Sequence, residues 1–73
     1  MNDGGSGKIT VNGETWPRPV DSIDALLRAL GHDPERPGLA VAVNDAVVPR
    51  REWPERSIRA GDRVEIVAAV QGG

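Results

Sequence analysis

One segment of helical periodicity, set between two strand-like regions, constrains most strongly what this chain can fold into. Its apolar residues recur at i, i+3, i+4 and i+7, on one face of a helix of about nine residues: Ile23, Leu26, Leu27 and Leu30. Asp21 or Ser22 can accept hydrogen bonds from its first amides, and Gly31 suits the left-handed position just after its end. A stripe at this spacing is typical of a core-facing helix, so we assign it to the core.

The size and composition of the chain narrow the classes of function. Its 73 residues allow one small domain. Nine basic and eleven acidic residues nearly cancel, and without a basic block we expect no nucleic-acid partner. Cysteine is absent, so the chain has neither a disulfide framework nor a cysteine-based metal site, which fits a reducing cytoplasm. No apolar run approaches the roughly 20 residues that span a bilayer, so we expect no membrane partner.

Side chains suited to catalysis or metal binding are scarce. His32 is the only histidine, and no serine, cysteine or acidic pattern accompanies it to form a triad or a metal site. We therefore expect an exposed loop histidine, no catalytic residue and no metal. The only aromatic residues are Trp16 and Trp53, too few for a surface that stacks on bases.

Strand patterns lie on both sides of the helix. Residues 8–11 and 14–16 alternate around an Asn-Gly pair, the strongest short hairpin signal, because both residues tolerate positive φ. Pro17 and Pro19 end the second strand or confine it to a sheet edge, since neither can donate a ladder hydrogen bond.

The second half of the chain predicts further strands and an irregular crossover. Residues 39–44 form an apolar, β-branched run typical of a central strand. An Asn-Asp turn then leads to a brief partner strand at residues 47–48. Residues 49–58 show no clear periodicity, and we expect Trp53 and Ile58 to pack onto the core.

The last strand, residues 63–70, alternates in character. One set of side chains points to one face of the sheet: Val64, Ile66 and Ala68. The other set points to the opposite face: Arg63, Glu65 and Val67. This assignment depends on register, because a slip of one residue exchanges the two sets.

The order of these elements predicts an α+β fold of two layers, with one helix packed across a mixed sheet of about four or five strands. The first and last strands can lie side by side and parallel, because the helix permits the crossover. This is the β-grasp, ubiquitin-like arrangement. We expect a disordered leader at residues 1–7, the β-grasp domain at residues 8–69, and a flexible Gly-Gly tail at residues 70–73 that protrudes from the sheet.

The diglycine end is the clearest chemical signal in the chain. A terminal carboxylate on two residues without side chains can enter a channel too narrow for other backbones, and glycine accepts dihedral angles closed to other residues. We predict that the carboxylate of Gly73 is the reactive group, activated and loaded by a partner enzyme. Val70, Gln71 and Gly72 would guide the tail into the channel of that partner.

Three internal segments and the diglycine end resemble one family. The segments are residues 38–44, 47–53 and 61–66. The most distinctive internal mark joins the first two and reads Asn-Asp-Ala-Val-Val-Pro-Arg-Arg-Glu-Trp at residues 44–53. Together they resemble the sulfur carrier protein of thiamine (thiazole) biosynthesis, the ThiS family. The first seven residues extend beyond the usual start of that family.

The resemblance implies a carrier that is a protein cosubstrate and not an enzyme, with no bound cofactor of its own. An E1-like adenylating enzyme would adenylate Gly73 with ATP and Mg²⁺. A sulfur donor, such as the persulfide of a cysteine desulfurase, would convert the adenylate to a thiocarboxylate. Thiazole synthase would then take the sulfur into the thiazole ring. We expect the free carrier to be a cytoplasmic monomer.

The resemblance also implies docking through an apolar patch on the sheet face away from the helix. Val67 and Ala69 are the candidates for that patch. Arg50 and Arg51 would supply a polar rim, although ordinary solvated charge is the simpler interpretation of both arginines.

Three other functions stay open at this point. The small subunit of molybdopterin synthase uses the same thiocarboxylate chemistry, but it is usually rich in phenylalanine, which this chain lacks. A ubiquitin-like modifier would place Gly73 in an isopeptide bond with a lysine. A noncovalent binding module would not need its Gly-Gly end.

Overall fold

The computed structural model describes residues 8–17 and 20–69. Within them the chain forms five strands, one α-helix and a short 3₁₀ helix: β1 (Ile9–Val11), β2 (Glu14–Trp16), α1 (Ile23–Ala29), β3 (Leu39–Val43), β4 (Ala46–Val47), the 3₁₀ helix (Arg50–Glu52) and β5 (Arg63–Ala68). The expected leader at residues 1–7 and the expected tail at residues 70–73 lie outside the described residues.

The strands form a single mixed sheet in the order β2-β1-β5-β3-β4. β1 and β5 pair in parallel, whereas β2 pairs with β1, and β3 pairs with β5 and β4, in antiparallel fashion. A parallel neighbour requires a crossover, and α1 lies within it. The predicted two-layer α+β fold, with the first and last strands adjacent and parallel, is confirmed.

Two tight turns set the hairpins at the two edges of the sheet. All four central residues have left-handed backbone angles, the pattern of type I′ turns: Asn12 (φ 51°), Gly13 (84°), Asn44 (53°) and Asp45 (74°). Both predicted turns are confirmed, but the second partner strand is Ala46–Val47 and not residues 47–48. Val48 has already turned inward, and its side chain is buried in the core.

Helix α1 is capped as its sequence predicts but is shorter. The Ser22 hydroxyl accepts a hydrogen bond from the amide of Ala25 at 3.0 Å, so Ser22 and not Asp21 is the cap. The regular helix has seven residues instead of about nine. Gly31 adopts φ 88° directly after its end, which confirms the predicted left-handed position. Leu30 lies in the turn that follows the helix and still packs against the core.

The core lies between α1 and the inner face of the sheet and is entirely apolar. Its buried side chains come from every part of the domain: Ile9, Val11, Ile23, Leu26, Leu27, Leu39, Val41, Val43, Val48, Trp53, Ile58, Val64 and Ile66. The predicted packing of Trp53 and Ile58 onto the core is confirmed. The indole Nε1 of Trp53 donates to the carbonyl of Val48 at 2.9 Å, so its one polar atom is satisfied inside.

Two other expectations from the sequence concern the exposure of His32 and membrane spanning. His32 follows α1 in a loop, as predicted, but its side chain is half-buried and not fully exposed. Among residues 8–17 and 20–69, no helix is long and apolar enough to cross a bilayer.

Candidate functional site

The candidate docking surface lies on the face of the sheet opposite α1. Along β5 the inward residues Val64 and Ile66 are buried, whereas Val67 is 62% exposed, so the predicted alternation is confirmed. Ala69 is also exposed. Its amide donates to the carbonyl of Gly38 at 2.9 Å, which extends the β3–β5 ladder beyond the last residue of the strand.

Strand pairing adds three further residues to this face. Ala40 lies opposite Val67, and Ala42 lies opposite Val47. Directly opposed residues share a face of the sheet, and Val47 is 77% exposed. We call the resulting set the outward apolar patch: Ala40, Ala42, Val47, Val67 and Ala69.

Sequence reasoning placed Val67 and Ala69 outward but missed the other three members of the outward apolar patch. Alternation along one strand identifies its outward residues, but it does not say which residues of another strand lie beside them. The missing information was the pairing of Ala40 with Val67 and of Ala42 with Val47.

Charged groups lie near the start of β5, away from the tail. Arg63 donates to the carboxylate of Asp45 at 3.0 Å, and both side chains are largely exposed. The hydrogen bond from this side chain to Asp45 and the charge of that carboxylate raise the pKa of Arg63 above its ordinary value. Toward its other end β5 carries Val67, so the face changes from charged to apolar in the direction of the tail.

Two contacts hold β5 close to where the tail begins. On the β1 side, the side-chain amide of Asn12 brackets Ile66: the Ile66 amide donates to Oδ1 at 2.7 Å, and Nδ2 donates to the Ile66 carbonyl at 3.2 Å. On the β3 side, Ala68 pairs with Leu39 and the Ala69 amide bonds to Gly38.

The tail residues proposed for the partner channel lie outside the described residues. These are Val70, Gln71, Gly72 and Gly73. Their roles stay predictions, and the described site is the surface that leads to them.

The two arginines that were proposed for the polar rim have different surroundings. The guanidinium of Arg50 donates to the carbonyls of Pro34, Arg36 (2.8 Å) and Leu39 (3.5 Å). It also lies 4.6 Å from the centroid of the Trp53 ring, within cation–π distance. Arg51 is exposed beside it. A docking role for either arginine stays a prediction, but Arg50 already has a defined set of internal contacts.

Comparison with known proteins supplies the family. Residues 8–73 match the sequence model of the ThiS family. This chain belongs to the ThiS family. It is 39% identical over 65 residues to the sulfur carrier protein ThiS of Thermus thermophilus, an alignment that covers 89% of this chain and 98% of the relative. It is 32% identical over 52 residues to the sulfur carrier protein ThiS of Escherichia coli, covering 71% of this chain and 76% of that protein.

A solved structure agrees with both the family and the fold. The crystal structure of the thiamine biosynthesis protein ThiS from Geobacter metallireducens superimposes with a TM-score of 0.72 at 27% identity. The match covers 90% of this chain and 99% of that one. The family resemblance and the β-grasp fold expected from the sequence are therefore confirmed.

Proposed function

We propose that this chain is the sulfur carrier that supplies the sulfur atom of the thiazole ring of thiamine, and that the carboxylate of Gly73 is its reactive group. The observation that carries the proposal is the outward apolar patch, which runs along β5 to Ala69 in a member of the ThiS family. The family match itself extends to Gly73. The patch and the diglycine end would thus be adjacent in the chain.

The proposed chemistry begins with activation by an E1-like adenylating enzyme. A free carboxylate is a poor electrophile, so ATP, with Mg²⁺ on the partner, converts Gly73 to an acyl-adenylate and releases pyrophosphate. The persulfide of a cysteine desulfurase, or another sulfur donor, displaces AMP at the carbonyl carbon. Cleavage of the resulting S–S bond by a thiol reductant leaves the thiocarboxylate, which thiazole synthase consumes.

In this scheme the chain acts as a cosubstrate, and the catalytic groups belong to its partners. The contribution of the folded domain is docking. Val47 and Val67 are large apolar side chains that are exposed to solvent on one face of the sheet. Burying them against a partner would stabilise the complex in proportion to the apolar area removed from water. The same face can serve successive partners, because the chemistry takes place at Gly73.

The thiamine assignment is favoured over the small subunit of molybdopterin synthase by the family match and by the names of the relatives. The two carriers would share the thiocarboxylate and differ in the enzyme that takes the sulfur. Transfer from the loaded carrier to thiazole synthase, and not to the large subunit of molybdopterin synthase, is therefore the expected result.

Deletion of Gly73 tests the proposal. The shortened chain is expected to lose adenylation and sulfur loading while its melting curve stays unchanged, since the last core residue within the described ranges 8–17 and 20–69 is Ile66. The measurements are thiocarboxylate formation with the adenylating enzyme and thermal unfolding of the carrier alone. Equal loading of the shortened and full chains would sink the proposal.

A second variant tests the narrow channel. Gly72→Leu adds a branched side chain next to the reactive end, so it should block activation by steric exclusion and leave the fold unchanged. Adenylation of this variant at the normal rate would contradict the role assigned to the diglycine.

A further inference from the structure

We propose that Arg50 is a positioning residue for the C-terminal tail. It fixes the loop of residues 34–38 and the start of β3, and Gly38 at the end of this loop in turn holds Ala69, the last described residue before residues 70–73. The inference rests on the proposed function, because it concerns how Gly73 is delivered to the adenylating enzyme.

The first step is the fixing of the loop by Arg50. Its guanidinium binds the carbonyls of Pro34 and Arg36 in the loop and that of Leu39, the first residue of β3. A planar guanidinium presents five N–H donors in a fixed geometry, which suits it to hold several carbonyls at once. A hydrogen bond with a charged donor is stronger than a neutral one of the same geometry, and the bond to Leu39, at 3.5 Å, is the weakest of the three.

The guanidinium of Arg50 also packs against the buried ring of Trp53. Trp53 lies under it at 4.6 Å and is 2% exposed. The indole cannot easily turn, because its Nε1 is bonded to the carbonyl of Val48 at 2.9 Å. Arg50 therefore connects the loop to a part of the core that has a fixed position.

The Arg50 side chain also lies at the edge of β3 that faces β4, beyond the point where β4 ends. Strand β4 ends at Val47, and the amide of Val48 donates to the carbonyl of Val41 on the edge of β3. Along the same edge the carbonyl of Leu39 accepts from the side chain of Arg50 instead. The Leu39 carbonyl at the start of β3 thus has a side-chain donor at 3.5 Å, at a place that the two-residue strand β4 does not reach.

The second step runs from the loop to the tail. Gly38 has φ 88°, and its carbonyl accepts the Ala69 amide at 2.9 Å. A Cβ at Gly38 would lie 3.4 Å from the Cβ of Ala69, so the two backbones are in close contact. Leu39, the next residue, pairs with Ala68. A displacement of residues 38–39 would therefore displace Ala68 and Ala69.

The opposite side of β5 does not supply the same support. The β1–β5 register pairs only Thr10 with Arg63 and Val11 with Val64 among the described residues. The side chain of Asn12 extends this contact to Ile66 and no further along β5. Beyond Ile66 the half-buried side chain of Ala68 packs against the core, and the described strand pairing and hydrogen bonds of β5 lie on the β3 side, where Arg50 holds the loop.

If Arg50 acted as a polar-rim residue that contacts the partner, the expected effects of its substitution would differ from those of a positioning residue. A rim residue acts by its charge on the partner, so Arg50→Lys would retain its effect, and Arg51→Ala would act like Arg50→Ala. A positioning residue acts by geometry, so lysine cannot replace it. Arg51 is the matched control, because it is the neighbouring arginine and is exposed.

The first arm of the test uses the carrier alone. Amide hydrogen exchange of Ala69 is measured by NMR in wild type, Arg50→Ala, Arg50→Lys and Arg51→Ala, with the core amide of Val64 as internal reference. We expect Ala69 to exchange roughly tenfold faster relative to Val64 in both Arg50 variants, the factor for losing a charge-assisted hydrogen bond, and no change in Arg51→Ala. Using the ratio to Val64 removes any general loss of stability.

The second arm measures adenylation kinetics with the carrier as the varied substrate. Both Arg50 variants should lower kcat by roughly tenfold or more, because a misplaced reacting group loses much of its rate, while KM changes by less than about twofold. Arg28→Ala, at an exposed arginine on α1, is the control for this arm and should leave kcat unchanged.

The inference is overturned by an Ala69 ratio that stays at the wild-type value. It is equally overturned by normal kcat in Arg50→Lys, or by a change confined to KM. If wild type is not adenylated at all, the proposed function fails, while the exchange ratio still decides whether Arg50 positions Ala69.

Discussion

Both faces of the sheet carry apolar side chains, yet among the described residues only the inner face is covered. The inner face lies under α1, and Val64 on that face is 1% exposed. The outer face carries the outward apolar patch, and Val67 on the same strand is 62% exposed. Two valines three residues apart on β5 thus have opposite environments. Residue type alone does not reveal which apolar side chains stabilise the domain and which are available to a partner.

The net folding free energy of a small domain is low, so apolar side chains left exposed to water are a notable cost to its stability. Single exposed apolar residues are normal on proteins, but neighbouring ones on the same face indicate an interaction surface. Ala40, Ala42, Val47 and Val67 are neighbours through strand pairing. We therefore expect substitutions on the inner face to change stability and substitutions on the outer face to change partner recognition.

The largest expected effect tests the inner layer at α1. Leu27→Ala removes a fully buried side chain and should lower the free energy of unfolding by about 2–5 kcal/mol. Arg28→Ala, at the next and exposed position, should stay within about 0.5 kcal/mol of wild type. Urea denaturation measures both. Similar midpoints for the two variants would show that the helix stripe does not form the core.

A pair of substitutions on β5 tests the comparison at adjacent residues. Ile66→Ala leaves a cavity in the core and should cost about 2–5 kcal/mol of the free energy of unfolding. Val67→Ala, one residue further on the outer face, should cost about 0.5 kcal/mol or less. The comparison would be wrong if chemical denaturation gave the larger loss for Val67→Ala.

The outer face is tested by a substitution that preserves strand preference. The double variant Val47→Thr, Val67→Thr keeps two β-branched residues but replaces two apolar groups by hydroxyls, and it should raise the KM for the adenylating enzyme by roughly tenfold. Unfolding free energy should change by less than about 1 kcal/mol. An unchanged KM would remove these two valines from the docking surface.

The smallest effect is expected at the charged end of β5. The Arg63–Asp45 ion pair is largely exposed, and exposed pairs contribute little to stability. Arg63→Gln should therefore leave both the unfolding midpoint and the adenylation kinetics close to wild type. A marked rise in KM for this variant would extend the docking surface to the charged start of β5.

Local patterns were sufficient to predict most of the fold. The Asn12-Gly13 turn, the capped helix and the alternation along β5 each follow from turn chemistry or periodicity. Trp53 and Ile58, the two residues of the crossover at 49–58 that were expected to pack onto the core, are both buried. The helix proved shorter because the turn at Gly31 begins soon after Ala29.

Features that depend on how distant segments meet could not be predicted in this way. The outward position of Val47 beside Ala42 required the β3–β4 register, which no local pattern specifies. Arg50 contacts the carbonyls of Pro34 and Arg36, which precede it by 16 and 14 residues. Its sequence context suggests a solvated charge, and only the folded loop shows its actual partners.

The most direct test of the central claim is intact-protein mass spectrometry. The carrier is incubated with an E1-like adenylating enzyme, ATP, Mg²⁺ and a sulfide source, and the shortened chain without Gly73 serves as the control. We predict a mass gain that matches replacement of one oxygen by sulfur, localised to Gly73 and absent from the control. An unchanged mass with an adenylating enzyme that is active on another ThiS protein, or a stable conjugate of Gly73 to a lysine, would contradict the sulfur-carrier account.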